Sequence, residues 1–207
     1  HRRGDEFRTP LAEHLVEAQA YVRDGFGNTR VHFTASRDHR TVMEKHVVQL
    51  RSLYEGHGTR LDVTLSEQRA DSDTLTAALD NQPFRVADGS LLFRAGGHGS
   101  LLPNLNELKA DIVFIQNIDN IAIDPRAAIR CRKALGGYLV ELQARVFEYL
   151  DGLHPGATTS FLDEVFHFAR TVLSVTLSER VVQTPARVRF LREALDRPLR
   201  VCGMVPD

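Results

Sequence analysis

Residues 30–68 constrain the fold more than any other stretch, because the hydrophobic period changes twice within them. In "RVHFTAS" (Arg30 to Ser36), Val31, Phe33 and Ala35 alternate with polar neighbours, the period of a strand. Ser36 or Asp38 is placed to cap a helix running to about Tyr54. "EGHGT" then stops that helix with glycines, and "RLDVTLSEQ" (Arg60 to Gln68) alternates Leu61, Val63 and Leu65 as a second strand. Strand, helix and strand in succession belong to an α/β sheet.

The flanking sequence extends this pattern. Thr9-Pro10 starts a helix, with threonine at the N-cap and proline where its missing N–H costs nothing, and Leu11, Leu15, Ala18 and Val22 recur at helical spacing until "DGFGN". Arg69 to Gly89 is polar and irregular, a long loop with short extended pieces, and Ser90 to Phe93 looks extended again. "SLLPNLNEL" supplies about two helical turns. "ADIVFIQN" (Ala110 to Asn117) is a nearly continuous apolar run, which predicts a central parallel strand covered on both faces.

After Pro125 the period becomes helical. Leu135, Leu139, Leu142, Val146, Tyr149 and Leu153 follow three-four spacing, Phe161, Val165, Phe168, Val172 and Val175 repeat it, and Thr184-Pro185 starts a further helix. Residues 8–124 are therefore expected to form the sheet-bearing part, 125–197 a helical segment, and 198–205 ("PLRVCGMV") a returning strand. A strand at the end of a chain needs neighbours, so the sequence reads as the interior of a longer protein.

A net charge of -1 leaves no overall basic field for nucleic acid or an anionic membrane, so an anionic ligand must be held by local groups. No apolar run is long enough to span a bilayer. Two cysteines, Cys131 and Cys202, cannot build a disulfide framework and fit a reducing, cytoplasmic setting.

Two short motifs carry the chemistry. Glycines 96, 97 and 99 around His98 lie between a short strand and a helix start. They suit either a tight loop needing positive φ or a backbone cradle for an anion such as phosphate, to which His98 adds a hydrogen bond or charge. Asp119, after the apolar run, is either an Asx turn or a carboxylate for Mg²⁺ at the carboxyl end of a strand, with Asn117 and Asn120 beside it for hydroxyls. Asp71-Ser72-Asp73 has the form of a metal-diphosphate motif but reads more simply as a solvated loop. His39 and His46 lack the i, i+4 spacing of a metal pair, and Gly136-Gly137 marks close helix packing or a break. Arg85 and Arg94 flank the loop, placed either to meet phosphates or, as is commoner for strand-end arginines, to stay solvated.

"GGHGSLLPNLNELKADIVFIQNIDNIAIDP" resembles the segment of UDP-sugar pyrophosphorylases in which a Gly-His-Gly loop precedes a helix, an apolar strand and an Asn-x-Asp-Asn turn. More closely, "RTPLAEHL", "VHFTAS", "DNQPFR", "LLFRAGGHGSLLPNLNEL" and "FIQNIDNI", in that order, resemble a bacterial family of unknown function, number 4301, that looks nucleotidyltransferase-like. The resemblance implies a Rossmann-related, glycosyltransferase-A-like mixed sheet with a helical C-terminal segment. It also implies Mg²⁺ on Asp119, a nucleotide or phosphate along Gly97, His98 and Gly99, the sugar beside Asn117 and Asn120, and the base near Gln68. The pyrophosphorylase loop has a proline before its glycine and an acid after it, where this chain has Gly96 and Ser100. The Gly-rich, basic loop with which those enzymes hold the triphosphate has no counterpart in residues 1–207, so this stretch alone is expected to be catalytically inactive.

The implied reaction transfers a nucleotidyl group from a nucleoside triphosphate to a sugar 1-phosphate and releases pyrophosphate. The alternative is a non-catalytic module that binds a nucleotide-sugar, and a third reading makes the helical half an assembly domain. The sharpest expectation is geometric: His98 and Asp119 should face one cleft at the carboxyl edge of the sheet.

Overall fold

The computed structural model describes residues 2–3, 6–56, 58–121, 124–176 and 184–203. The chain divides into two compact units, His1–Ile129 and Arg130–Asp207. The mixed α/β character expected from the sequence is present.

In the first unit, β1 (Arg2–Arg3) and β2 (Glu6–Phe7) form a minimal antiparallel pair. Helix α1 (Pro10–Ala18) follows, with the Thr9 hydroxyl accepting the Ala12 N–H at 3.2 Å. It ends at Ala18, one turn before Val22. The heart of the unit is β3 (Asn28–Ala35), α2 (Arg37–Tyr54) and β4 (Arg60–Glu67), with β3 and β4 parallel in the register Asn28 to Arg60 through Ala35 to Glu67. A helical crossover is the connection a parallel pair requires. Ser36 sits at the N-cap of α2, yet its hydroxyl meets the His39 ring at 2.7 Å instead of capping a backbone N–H.

Leu11, Ala12 and Leu15 of α1, Val47 and Leu50 of α2, and Leu61 and Val63 of β4 make the core, with Val31, Phe33 and Leu65 packed against it. The His46 ring meets the Thr9 hydroxyl at 2.8 Å, so His39 and His46 hydrogen-bond different partners. The other face of the strand pair is polar: Arg30 lies beside Asp62, His32 beside Thr64, and Thr34 beside Ser66. Parallel sheets are ordinarily covered by apolar side chains on both faces; this pair is covered so on one.

The apolar run Ala110 to Asn117 corrects a sequence expectation, because it forms no strand. Ile112, Phe114 and Gln116 are half-buried while Val113 and Ile115 are exposed, Ile115 to 69%. The Phe114 ring meets Tyr21 edge-on at 5.0 Å, and Gln116 Nε2 donates to the Tyr21 hydroxyl at 2.5 Å. The alternation of a strand survives without the ladder. A strand becomes one only when an edge accepts its backbone, and here side chains facing the end of α1 hold the segment.

Between β4 and the glycine loop the chain builds a small β module. After a 3-10 turn at Ala70–Ser72, β5 (Thr74–Leu75) pairs antiparallel with β6 (Phe93–Arg94), and isolated bridges join Ala77 to Pro83 and Arg85 to Leu91. The expected long loop is thus three extended pieces folded on one another. A second 3-10 turn, His98–Leu101, leads into α3 (Leu102–Asn106).

The second unit is helical, built on α4 (Pro125–Gly152, which begins in the first unit), α5 (Thr159–Thr171) and α6 (Thr184–Leu195). Leu142, Val146, Tyr149 and Leu153 meet Leu162, Val165 and Phe168 and then Val188, Leu191 and Leu195 in one cluster; of the stripes read from the sequence, Leu135 and Leu139 lie outside it, Phe161 and Val175 are partly buried against it, and Val172 is exposed. Gly152 lies so close to Phe161 that an added Cβ would come within 2.5 Å of its ring. Arg192 of α6 donates to the Leu150 and Leu153 carbonyls at 2.9 Å, satisfying the C-terminal end of α4. Helix α4 runs without interruption through Gly136-Gly137, and a Cβ on Gly137 would meet open space. Residues 198–203 are coil whose Leu199 and Val201 pack on this cluster rather than a returning strand; Met204 and Val205 lie outside the described residues. Among the described residues no helix is long and apolar enough to cross a membrane.

Candidate functional site

The carboxyl end of β4 carries the glycine loop. Gln68 continues the ladder, its N–H bonding the Ala35 carbonyl at 3.1 Å, and its side-chain Nε2 donates to Ser100 Oγ at 2.8 Å. Ser100 donates in turn to the Gly97 carbonyl at 2.7 Å, closing the loop on itself. Four residues on, Asn104 is only 3% exposed, and its Nδ2 donates to Ser66 Oγ at 2.9 Å and to the Glu67 carbonyl at 2.8 Å. Its Oδ1 is enclosed and has no partner among the described residues. Glu67's carbonyl can only accept, which fixes the orientation of the amide.

Asn104 leads into a polar network on the open face of the strands. The His32 ring meets Thr64 Oγ1 and Ser66 Oγ, each at 2.8 Å, and Thr34 Oγ1 lies 3.2 Å from Ser66 Oγ. Burial holds the His32 imidazole below its usual range, and the Glu107 carboxylate pulls in the opposite direction. The Ser66–His32 spacing is that of a nucleophile and its base. Ser66 nonetheless lies inside a strand with its hydroxyl already bound by Asn104 and by Thr34, so the network locks the loop segment to β4 rather than activating a hydroxyl. Sequence reasoning passed over Asn104, Ser66 and His32; the polar positions of β4 at Thr64 and Ser66 were the available signal.

The glycines answer the question of positive φ. Positive φ occurs among glycines at 27, 56, 58 and 89, and at none of the three in this loop. Gly96 is required by contact: a Cβ there would come 2.9 Å from Ser100 Cβ and 3.1 Å from Thr74 Cγ2. Gly97 and Gly99 have nothing within 4 Å of that position. His98 is exposed, with no hydrogen-bond partner for its ring among the described residues.

The Asn-Ile-Asp-Asn segment forms a turn by backbone bonds, Asn120 N–H to the Asn117 carbonyl at 3.1 Å and Ile121 N–H to the Asp119 carbonyl at 3.0 Å. His14 of α1 holds it through the Ile118 carbonyl at 3.0 Å. Asp119 is exposed. The loop is thus held by β4 and the turn by α1, and among the described residues no hydrogen bond or ion pair joins His98 to Asp119. Nor does any group of three or more His, Cys, Asp and Glu come together there to cage a metal ion. One exposed carboxylate fits Mg²⁺ only as a complex shared with a ligand's phosphates, the usual way that ion is bound.

Of the remaining candidates, Asp71 and Arg85 are engaged elsewhere. Asp71 takes two hydrogen bonds from Arg69, at 2.6 and 3.0 Å, which hold its carboxyl below the usual range. Arg85 braces a turn through the Gly89 carbonyl at 2.7 Å. The guanidinium of Arg94 has no partner among the described residues.

A family model described as Domain of unknown function (DUF4301) matches residues 1–207. No curated protein and no solved structure matches the chain.

Proposed function

The chain belongs to the DUF4301 family of domains of unknown function, and we propose that it is a nucleotidyltransferase-like domain binding the phosphate group of a nucleotide or nucleotide-sugar on Gly97, His98 and Gly99. One observation carries this reading. Neither φ nor packing requires glycine at 97 and 99, and one physical use of a missing Cβ there is the close approach of a ligand to the backbone. The loop lies where ligands collect in open α/β sheets, at the carboxyl end of a strand. Related supports are the unpartnered His98 ring and the Gln68–Ser100 and Asn104–β4 bonds that fix the loop in advance.

In the same reading the fold is a Rossmann-related, glycosyltransferase-A-like sheet, Asn117 and Asn120 meet sugar hydroxyls, and Gln68 lies near the base. Asp119 would hold Mg²⁺ jointly with the ligand's phosphates, where the ion supplies charge neutralisation. The reaction is in-line attack by a phosphate oxygen of a sugar 1-phosphate on the α-phosphorus of a nucleoside triphosphate. The new P–O bond forms as the α–β bond breaks, and pyrophosphate leaves. This chain's own part is to bind and orient: backbone N–H groups at 97–99 face the phosphate oxygens.

A second reading, a non-catalytic nucleotide-sugar module, is favoured by the separate anchoring of the loop and of the Asn117–Asn120 turn. Calorimetric titration with UDP-glucose tests the site. Gly97→Val places its side chain in open space, so the fold should be unchanged while binding falls at least tenfold; equal binding by the variant removes the proposal. Release of pyrophosphate from uridine triphosphate and glucose 1-phosphate, measured on the natural full-length protein because residues 1–207 alone are expected to be inactive, then separates enzyme from module.

A further inference from the structure

The β module before the loop has an internal regularity. Thr76, Phe84 and Leu92 stand eight residues apart and close a ring of backbone bonds: Thr76 N–H to the Leu92 carbonyl at 2.9 Å, Leu92 N–H to Phe84 at 3.1 Å, and Phe84 N–H to Thr76 at 2.8 Å. Two matching turns connect the pieces. In each an aspartate accepts the N–H two residues on, Asp80 from Gln82 at 3.0 Å and Asp88 from Ser90 at 2.8 Å, and the residue after it takes positive φ, 63° at Asn81 and 85° at Gly89. Such closure makes a preformed wall in place of a floppy loop.

That wall bounds an open cleft of about 610 Å³ lined by Thr76, Leu79, Asp80, Phe84, Leu92 and Arg94. The volume lies within the usual range for small-ligand sites. Its surface is mostly apolar, Phe84 exposes part of its ring, and Leu79 is fully exposed. Two features tie it to the glycine loop. Arg94, whose guanidinium is without a partner among the described residues, lies two residues before Gly96, and Gly96 rests against Thr74 at the foot of the module. An apolar, part-aromatic wall with one free cation beside a phosphate loop is complementary to a ring system carrying an anion. Asp80, the single carboxylate of the lining, has one oxygen committed to Gln82.

We propose that this cleft receives the base of a nucleotide, stacked on Phe84 and Leu79, with Arg94 on the phosphate that enters the Gly97–Gly99 loop. The inference rests on the phosphate-binding reading of that loop. It names the part of the ligand that gives the site its preference.

The test compares ribose 5-phosphate with uridine and adenosine 5′-monophosphates by calorimetry on the 207-residue chain. Stacking predicts that the nucleotides bind about tenfold or more tightly than ribose 5-phosphate. That ratio should collapse toward one in Leu79→Glu, which alters an exposed side chain and leaves the fold intact, and in Phe84→Ala, while Arg94→Gln should weaken all three ligands. A ratio of one in the unmodified chain, or a ratio unaffected by both Leu79→Glu and Phe84→Ala, overturns the cleft. Ribose 5-phosphate binding that Gly97→Val abolishes would leave the loop standing without it. Absence of binding by all three removes both readings.

Discussion

Two apolar stretches of this chain have opposite fates. Leu142, Val146 and Tyr149 on α4 and Leu153 just past its end are all buried in the helical cluster, whereas Ile112 to Ile118 ends as an unpaired segment with Val113, Ile115 and Ile118 in solvent. The difference is one of hydrogen bonding. A helix satisfies its own backbone and needs a partner only for its stripe of side chains. A strand needs another strand's edge as well, and no sequence period names that edge.

Several measurements break or sharpen this contrast. Leu191, fully buried in the second unit, should cost about 2–5 kcal/mol when replaced by alanine, and Leu15 in the first unit about the same, read from denaturant unfolding. Gly27→Ala comes next. Gly27 has φ +87° and an added Cβ would lie 2.1 Å from the Gly58 carbonyl oxygen, so the loops at the amino ends of β3 and β4 must separate, at about 1–3 kcal/mol. Arg192→Ala uncaps α4 and should cost about 1 kcal/mol, with hydrogen exchange rising at its last turn.

The polar face adds a pH dependence. His32 is held below its usual range by burial, so the unfolded chain binds its proton first as pH falls. Its contribution is therefore undiminished above about pH 6.5 and is lost as pH drops below that value. Thermal melts at pH 7.5 and 5 should show a larger loss in the unmodified chain than in His32→Gln. The smallest effect belongs to the unpaired run: Ile115→Thr should change stability by no more than about 0.5 kcal/mol. A loss of 2 kcal/mol or more would mean that Ile115 is covered, as the strand reading required.

The candidate site was legible in part. The glycine loop and the Asn-Ile-Asp-Asn turn stand out as residue types in order, but the anchors of the loop, Asn104 on Ser66 and Gln68 on Ser100, pair residues more than thirty positions apart. Nothing in local spacing marks such pairs. The need for glycine at 96 likewise arises from Thr74 and Ser100, and the freedom at 97 and 99 from what is missing around them.

By itself the sequence determined what depends on near neighbours: the cap at Thr9, the helical stripes of α4 and α5, and the strand–helix–strand order that makes β3 and β4 parallel. Tertiary structure decided which backbone edges are paired and which glycines are crowded. It also left one face of the sheet polar and set Ala110 to Asn117 on the end of α1 rather than against a strand. Those outcomes depend on groups far apart in the chain meeting at hydrogen-bonding distance, and period and composition carry no record of which groups will meet.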